Sequence, residues 1–195
     1  MRRLGYGALV ICTLATVSGC FRSPTPRFFI LAPTTQGSPS SALSAQGPRV
    51  ALAALTFPAY LLDPRMSVVA EGIEVRRDEF ERWAEDLDAN FRRVLLDDLS
   101  RELASSNVTA ADSPFGQAGA QTLRVEVLGF DAAADGVARL RVRWSVATDS
   151  LTGAAVISEF SEHVSEETPG ARAKALSSLV ASLAQVIAGH IKKLP

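Results

Sequence analysis

Cys20 is the residue whose type and surroundings most clearly fit a chemical role. It ends the run Val17-Ser18-Gly19-Cys20, in which two small residues separate an aliphatic residue from a thiol. Uncharged and mostly apolar residues fill positions 4–17, and arginines occupy positions 2 and 3. This apolar stretch is shorter than the roughly 20 residues that span a bilayer, and its order of charges and apolar residues is typical of a secretory signal. The thiol is therefore placed for alkylation at a newly cut N-terminus.

The order aliphatic, small, small, cysteine resembles the lipobox that lipoprotein signal peptidase recognises. We expect residues 1–19 to be a signal peptide and Cys20 to carry a covalent diacylglycerol and an N-acyl chain such as palmitate. Cys12 leaves with the signal peptide, so no disulfide can form within the mature chain. Thioether formation also removes a lone thiol from an oxidising compartment. An ordinary signal peptide followed by an accidental cysteine is the alternative.

The expected lipid would hold the protein on a membrane, because one acyl chain binds reversibly whereas several anchor firmly. Phe21 follows Cys20 at the position where inner-membrane lipoproteins of many Gram-negative bacteria carry Asp. We therefore predict anchoring at the periplasmic face of the outer membrane rather than retention in the inner membrane. No second apolar stretch is expected to approach the length that spans a bilayer.

Enzyme chemistry finds little support in the rest of the sequence. His163 and His190 are the only histidines, and no Cys, His and Asp cluster has the spacing of metal ligands. The motifs G-x-S-x-G and H-E-x-x-H and a glycine-rich phosphate loop are missing. Without residues 1–19 the chain has 18 basic and 21 acidic residues, and no basic stripe suits a nucleic acid. We predict a non-enzymatic protein with no metal, no cofactor beyond the covalent lipid and no nucleic-acid partner. A hydrolase that joins one histidine to a nucleophile is a competing hypothesis.

The elements that must position any contact residues begin close to the anchor. Residues 20–26 are predicted to be a short lipidated tether, and residues 27–195 a single domain. Strand-like runs come first, with a loop rich in Pro, Ser and Gly at 33–48 and a tight turn at Glu71-Gly72. The predicted strands lie at 27–31, 49–57, 66–70 and 73–76.

A long amphipathic helix is predicted to follow these strands. From Asp78 to about Ala104, apolar residues recur at spacings of three and four, which is typical of one buried helix face. Asp78 is a suitable N-cap. Glu81 falls on the polar face of this helix and is expected to meet solvent.

A β-hairpin is predicted in the second half of the chain. Residues 121–130 and 137–147 alternate between apolar and polar types, and Asp135-Gly136 is a strong hairpin signal. A two-residue turn there would place Val127 opposite Trp144 and bring two apolar faces together.

A third strand and a second helix complete the predicted domain. A strand at 154–163 would bring Glu159 near Arg143, and Thr168-Pro169 suits the start of a C-terminal amphipathic helix. The sequence therefore predicts an α+β fold: one domain with a mainly antiparallel sheet and two long amphipathic helices packed on one face.

Several segments resemble a known family. They are the lipobox, Arg27-Phe28-Phe29-Ile30-Leu31, Tyr60-Leu61-Leu62-Asp63-Pro64, Ile73-Glu74-Val75 and the run from Glu79 to Leu87. The last run is similar to F-x-R-W-A-E-x-L, which opens a helix in the PqiC/YmbA type of ABC-transport auxiliary lipoprotein. The stretch Leu61–Arg65 departs from the arrangement of Asp, Arg and Pro that is usual in this family, so no family role is carried over to Arg65.

The resemblance implies a non-enzymatic partner of an MCE-type lipid transport system. Such a system has an ABC transporter in the inner membrane, an MCE-domain protein that crosses the periplasm, and a lipoprotein at the receiving membrane. The implied partners are the MCE-domain protein, its ABC transporter and the membrane reached through the lipid anchor, with phospholipid and a homo-oligomer as open alternatives. A structural envelope lipoprotein that scaffolds or braces complexes without transporting lipid is the alternative function.

Aromatic and basic side chains are the candidates for contact with such a partner or with lipid. The aromatic candidates are Phe28, Phe29, Tyr60 and Trp83, and ordinary burial in the core is the alternative for each. The basic candidates form a row on one strand face: Arg139, Arg141 and Arg143. We expect this row to pair with acids such as Glu126 and Glu159 across strands, with phospholipid head groups as the alternative.

Overall fold

The computed structural model describes residues 24–34, 43–70, 72–116, 120–148 and 153–194. The predicted signal peptide and lipidated Cys20 lie outside the described residues, as do residues 21–23 of the tether. Residues 35–42 of the predicted loop and Glu71 of the predicted turn also lie outside them.

The described residues form eight strands, a short 3₁₀ turn and two α-helices. The first half of the chain contains β1 (Arg27–Phe29), β2 (Val50–Thr56), the 3₁₀ turn (Ala59–Leu62), β3 (Arg65–Ala70), β4 (Glu74–Trp83), α1 (Leu87–Glu102) and β5 (Val108–Ala110). The second half contains β6 (Gln121–Ala133), β7 (Val137–Ala147), β8 (Val156–His163) and α2 (Pro169–Ile191).

All eight strands belong to one mixed sheet that is organised around β6. Along one edge β6 pairs with β7, which pairs in turn with β8, and both pairings are antiparallel. Along its other edge β6 pairs in parallel with two strands. The first part of β6 pairs with β2, which is followed in the sheet by β5, and the end of β6 pairs with β3, which is followed by β4 and β1. The antiparallel ladders contain most of the paired residues. The predicted single α+β domain with two helices is confirmed, and the short parallel pairings are additional to it.

The two helices pack on each other and on the sheet to enclose the core. Helix α1 lies over β2 and β5, whereas α2 lies over β7 and β8. Phe91 of α1 is fully buried, and its ring meets Phe57 and Phe130 edge to face at centroid distances of 5.2 and 5.3 Å. Aromatic pairs favour this geometry because the positive ring edge faces the negative ring face.

Helix α2 combines an N-terminal cap with a largely buried apolar surface. The hydroxyl of Thr168 accepts a hydrogen bond from the backbone N–H of Ala171, and Pro169 occupies the first helical turn as predicted. By length and composition α2 is also apolar enough to span a membrane, contrary to our expectation that no second stretch would be. The most apolar part of α2 is 56 % buried inside the domain, which is typical of the core helix of a globular protein.

The predicted start of α1 at Asp78 is wrong, because β4 continues to Trp83 and the helix begins at Leu87. Residues 81–83 of β4 pair with β1, and Arg82 also pairs with Arg65 of β3. The Asp78 carboxylate accepts a hydrogen bond from the N–H of Phe80 at 2.7 Å, which is a local turn rather than a helix cap. Pairing with two strands thus outweighs the helical spacing of the side chains.

The β6–β7 hairpin has a different register from the predicted one. Three residues connect the strands instead of two, and a bulge at Leu128 shifts the ladder by one further residue. Val127 therefore faces Val142, and Trp144 faces Val125. Because the total shift is an even number of residues, the apolar faces of both strands still coincide.

The arginine row on β7 pairs with acids as expected, but with one change of partner. Arg143 pairs with Glu126 of β6, whereas Glu159 of β8 lies opposite Arg141 and contacts it at 2.8 Å. The prediction that Glu159 approaches Arg143 is therefore wrong, because β8 is displaced by two residues along β7. Arg139 pairs with Asp135 at 2.6 Å.

Candidate partner-contact site

The four aromatic candidates occupy different environments. Phe28 is 64 % exposed, whereas its neighbour Phe29 packs against the core. Trp83 is 7 % exposed and belongs to the core. Tyr60 is half-buried in the 3₁₀ turn and borders a cavity. The structure therefore separates the candidates into a core residue, Trp83, two residues at the core margin, Phe29 and Tyr60, and one exposed residue, Phe28.

A cavity of about 380 Å³ opens on the face of the sheet that points away from the helices. Its position follows from β7, where Ala138, Leu140 and Val142 are buried under the helices while Arg139 and Arg141 alternate with them and line the cavity. The apolar part of the lining comes from Val69, Ile73, Val75 and Leu128. We call this concave region the outer-face cavity.

Local backbone features create the outer-face cavity. The bulge at Leu128 interrupts the β6–β7 ladder, and Gly129 beside it has no side chain to fill the space. On the other side, Gly72 adopts a φ of +73° in the β3–β4 turn, a conformation that suits glycine. This turn presents Ile73, which is 88 % exposed.

The segment that carries Tyr60 is tied to β3 and β4 by charged side chains. The carboxylate of Asp63 accepts hydrogen bonds from the Arg65 side chain at 2.8 and 2.9 Å, and Arg65 also contacts Glu79 at 2.7 Å. Arg77 donates to the backbone carbonyl of Tyr60 at 3.3 Å. The hydrogen bonds from Arg65 hold the pKa of the Asp63 carboxyl well below its usual range. Arg65 and Arg77 thus hold the 3₁₀ turn and the residue after it against β3 and β4.

Both arginines that line the outer-face cavity are paired, and the Asp131 carboxyl is a third titratable group in the lining. Arg139 and Arg141 pair with Asp135 and Glu159 respectively. Burial raises the pKa of the Asp131 carboxyl. Burial, and secondarily the charge of Asp131, raises the pKa of the Tyr60 phenol, which therefore stays protonated and can donate a hydrogen bond. The cavity offers apolar walls and a phenol rather than an unpaired cation.

The strand nearest the expected lipid is joined to the rest of the domain by buried polar contacts. Arg27 of β1 contacts the buried Glu81 at 2.7 Å, and Arg172 of α2 contacts the same carboxylate at 3.5 Å. The Asn90 side chain accepts from the Leu31 N–H at 2.7 Å and donates to the Leu31 carbonyl at 3.1 Å. The expectation that Glu81 faces solvent is wrong, because on a strand it shares the inward face with Trp83.

The histidines lie at the surface and far apart in the fold. His163 ends β8, and His190 lies near the end of α2 with its ring edge to face on Trp144 at 5.3 Å. Among the described residues, no group of three or more Cys, His, Asp or Glu side chains is placed to hold a metal ion. The arrangement provides no support for the hydrolase hypothesis.

One comparison with known proteins decides the family. A family model described as "ABC-type transport auxiliary lipoprotein component" matches residues 29–188. The chain belongs to this family. It is a family of transport accessory lipoproteins and not of enzymes, so the protein is a membrane-anchored envelope lipoprotein associated with an ABC-type transport system.

Solved structures show the same fold at low sequence identity. A crystal structure described as that of an uncharacterized protein has a TM-score of 0.70 and 19 % identity, and the match covers 86 % of this chain and 99 % of that one. A Xanthomonas campestris protein of the DUF330 family has a TM-score of 0.59 and 17 % identity, with coverage of 84 % and 94 %. These likenesses concern the fold alone. The curated proteins gave no significant match.

Proposed function

We propose that this protein is the lipid-anchored accessory component of an MCE-type ABC system that moves phospholipid between the inner and outer membranes. The match of residues 29–188 to the transport auxiliary lipoprotein family carries this proposal. In it, Cys20 bears the lipid, the domain faces the periplasm from the outer membrane, and the MCE-domain protein is the direct partner. The role is binding without catalysis, which agrees with the separate, exposed histidines.

The outer-face cavity is the contact site in this proposal, and its chemistry favours a protein over a phospholipid head group. A head-group phosphate would need cationic donors, and it would have to displace the exposed ion pairs that both arginines of the lining make with carboxylates. Protein interfaces instead centre on aromatic and apolar anchors inside a polar rim. Tyr60 and the exposed Ile73 can supply those anchors, and the Arg139 and Arg141 ion pairs can supply the rim.

Binding of the lipidated chain to the periplasmic part of the MCE-domain protein tests the proposal. Truncation of interface anchors costs more than about 1 kcal/mol each, so the variant Tyr60→Ala with Ile73→Ser should bind about tenfold more weakly or worse. Phe115→Ser is the matched control, because Phe115 is 78 % exposed and precedes the start of β6 rather than lying near its end, where the cavity is. Lack of binding by the unmodified chain in both detergent and lipid bilayers would refute the proposal.

A deletion experiment separates transport from scaffolding. Loss of the protein should slow phospholipid exchange between the two membranes if it serves the transporter. Association with envelope complexes and no change in lipid exchange would instead support a structural lipoprotein.

A further inference from the structure

The surface beside the lipid anchor carries an apolar pair that no part of the described domain covers. Phe28 is 64 % and Ile30 48 % exposed, while the alternate residues Phe29 and Leu31 turn toward the core. Phe28 of β1 and Ile30, which follows the strand, therefore face the same outer side, and β1 forms an edge of the sheet. Isolated apolar residues on a surface are normal, so their position in the molecule has to decide what this pair does.

One arginine borders this apolar pair. Phe28 lies in register with Arg82 of β4, whose side chain is 39 % exposed and lies 4.0 Å from Glu79, whereas Arg27 turns to the inner side and binds Glu81. The apolar pair and the Arg82 guanidinium together match the chemistry of a membrane interface. Aromatic and aliphatic side chains enter the boundary between head groups and acyl chains, while cations remain among anionic head groups.

The length of the chain before β1 limits how far this surface can lie from the lipid. Arg27 comes seven positions after Cys20, and even a fully extended chain of that length reaches only about 25 Å. Pro24 and Pro26 favour extended backbone within it, and at the polyproline rise of about 3.1 Å per residue the reach is about 22 Å. The lipid therefore keeps β1 within one tether length of the bilayer surface.

The polar contacts of the anchor end prevent β1 from turning away independently of the domain. Glu81 joins Arg27 to Arg172 of α2, and Asn90 of α1 holds both backbone groups of Leu31. In addition, the Ser177 hydroxyl accepts a hydrogen bond from the N–H of Ala32 at 3.2 Å. A contact between β1 and the membrane would thus orient the entire domain.

We propose that Phe28 and Ile30, flanked by Arg82, form a membrane-docking surface that rests on the anionic bilayer carrying the lipid of Cys20. This inference depends on the lipidation of Cys20 in the proposed function. Docking fixes the orientation of the domain on its membrane, so the lipid anchor and the β1 surface act as two points of attachment. The outer-face cavity is then held at a constant angle to the bilayer.

Nitroxide labels on the full lipidated chain test the docking surface. Phe28→Cys and Ile30→Cys are labelled in separate proteins, with Phe115→Cys and Ile73→Cys as exposed apolar controls. Cys20 is blocked by its lipid, so each mature protein has one free thiol. The proteins are reconstituted in nanodiscs of phosphatidylethanolamine and phosphatidylglycerol, and label collisions with lipid-soluble oxygen and an aqueous nickel chelate are compared with those in detergent.

The proposal expects a several-fold loss of nickel accessibility and a gain of oxygen accessibility at positions 28 and 30 only. Equal nickel accessibility at positions 28, 30, 73 and 115 would overturn it. Shielding by a second copy of the protein would appear as dipolar broadening between labels at position 28. Shielding only after addition of the MCE-domain protein would indicate a protein-docking site. Either result would also overturn the proposed membrane docking. Mass analysis of the N-terminal peptide keeps the two proposals distinguishable, since an unlipidated Cys20 refutes the anchor itself.

Discussion

Replacement of Asp98 by asparagine should stabilise the protein at alkaline pH. Asp98 lies on α1 and is only 4 % exposed. The N–H of Thr34 donates a hydrogen bond to its carboxylate, and Oδ2 has no hydrogen-bond partner among the described residues. Burial, with a contribution from the neighbouring charge of Asp97, raises the pKa of this carboxyl to about 7. A charged carboxylate at this place is therefore less favourable than a protonated one.

The size of the effect follows from the difference between the folded and unfolded pKa values. The unfolded carboxyl titrates near 3.8, so the folded value is higher by about 3 units at roughly 1.4 kcal/mol each, or about 4 kcal/mol in total. The folded state binds the Asp98 proton more tightly than the unfolded state does. Proton binding therefore stabilises the folded state, and this stabilisation is complete below about pH 4. The contribution falls as pH rises and is lost once pH passes about 7. The amide of the Asp98→Asn variant would stay neutral at every pH and still accept the bond from Thr34.

The free energy of unfolding in urea, followed by the fluorescence of the buried tryptophans, measures this effect. The difference between Asp98→Asn and the unmodified chain should be near zero at pH 4 and reach about 2–4 kcal/mol in favour of the variant at pH 8. Asp97→Asn is the control, because it removes only an exposed ion pair with Arg101 at 3.0 Å and the secondary repulsion of Asp98, so its gain at pH 8 should be far smaller than that of Asp98→Asn. A variant that is equally stable or less stable at pH 8 would show that the buried Asp98 carboxylate does not destabilise the fold.

Three other substitutions probe the packing of the domain, each measured by urea unfolding. Asn90→Ala should cost about 2–4 kcal/mol and increase hydrogen exchange at Leu31, since it leaves buried backbone groups unpaired; unchanged exchange would contradict the described link. Phe91→Ala should cost about 3–5 kcal/mol by opening a cavity between aromatic rings, and a loss below 1 kcal/mol would contradict its central position. Ala104→Gly should gain up to about 1 kcal/mol, because Ala104 has a φ of 49° after the end of α1; a loss of stability would contradict relief of strain there.

The strand and helix types could largely be predicted because most apolar residues follow one clear period. In β7, Leu140, Val142 and Trp144 alternate with arginines and are buried as the pattern indicates. The cap at Thr168 could also be predicted, because Pro169 after it fits only the first turn of a helix. Both signals are local, so they do not depend on which distant segments pair.

The boundary between β4 and α1 could not be predicted, because the apolar residues of 80–91 follow the helical period. Phe80, Trp83, Leu87 and Phe91 fit a helix face, and the charged Glu81 gives no sign that it shares the inner face of a strand with Trp83. The choice depends on β1 and β3, which pair with this segment from distant parts of the sequence. Residues far apart in sequence also make the parallel pairings of β6 with β2 and β3.

The candidate site was predicted only through Tyr60 and two arginines of the β7 row. The outer-face cavity depends on the bulge at Leu128, which no residue type announces, and on the turn that exposes Ile73. The Asp135-Gly136 dipeptide indicated where the hairpin turn lies, but it indicated neither the length of the turn nor the bulge on β6. Gly129 was the one available hint, since glycine inside a strand favours a bulge.

Photo-crosslinking from position 60 in living cells tests whether the outer-face cavity contacts the MCE-domain protein. A photoreactive phenylalanine analogue replaces Tyr60 in the full-length protein, and the same analogue at position 115 serves as the control. We expect a covalent adduct with the MCE-domain protein from position 60 and none from position 115. Adducts of equal yield from both positions, or no adduct from position 60 in a correctly lipidated and localised protein, would contradict it.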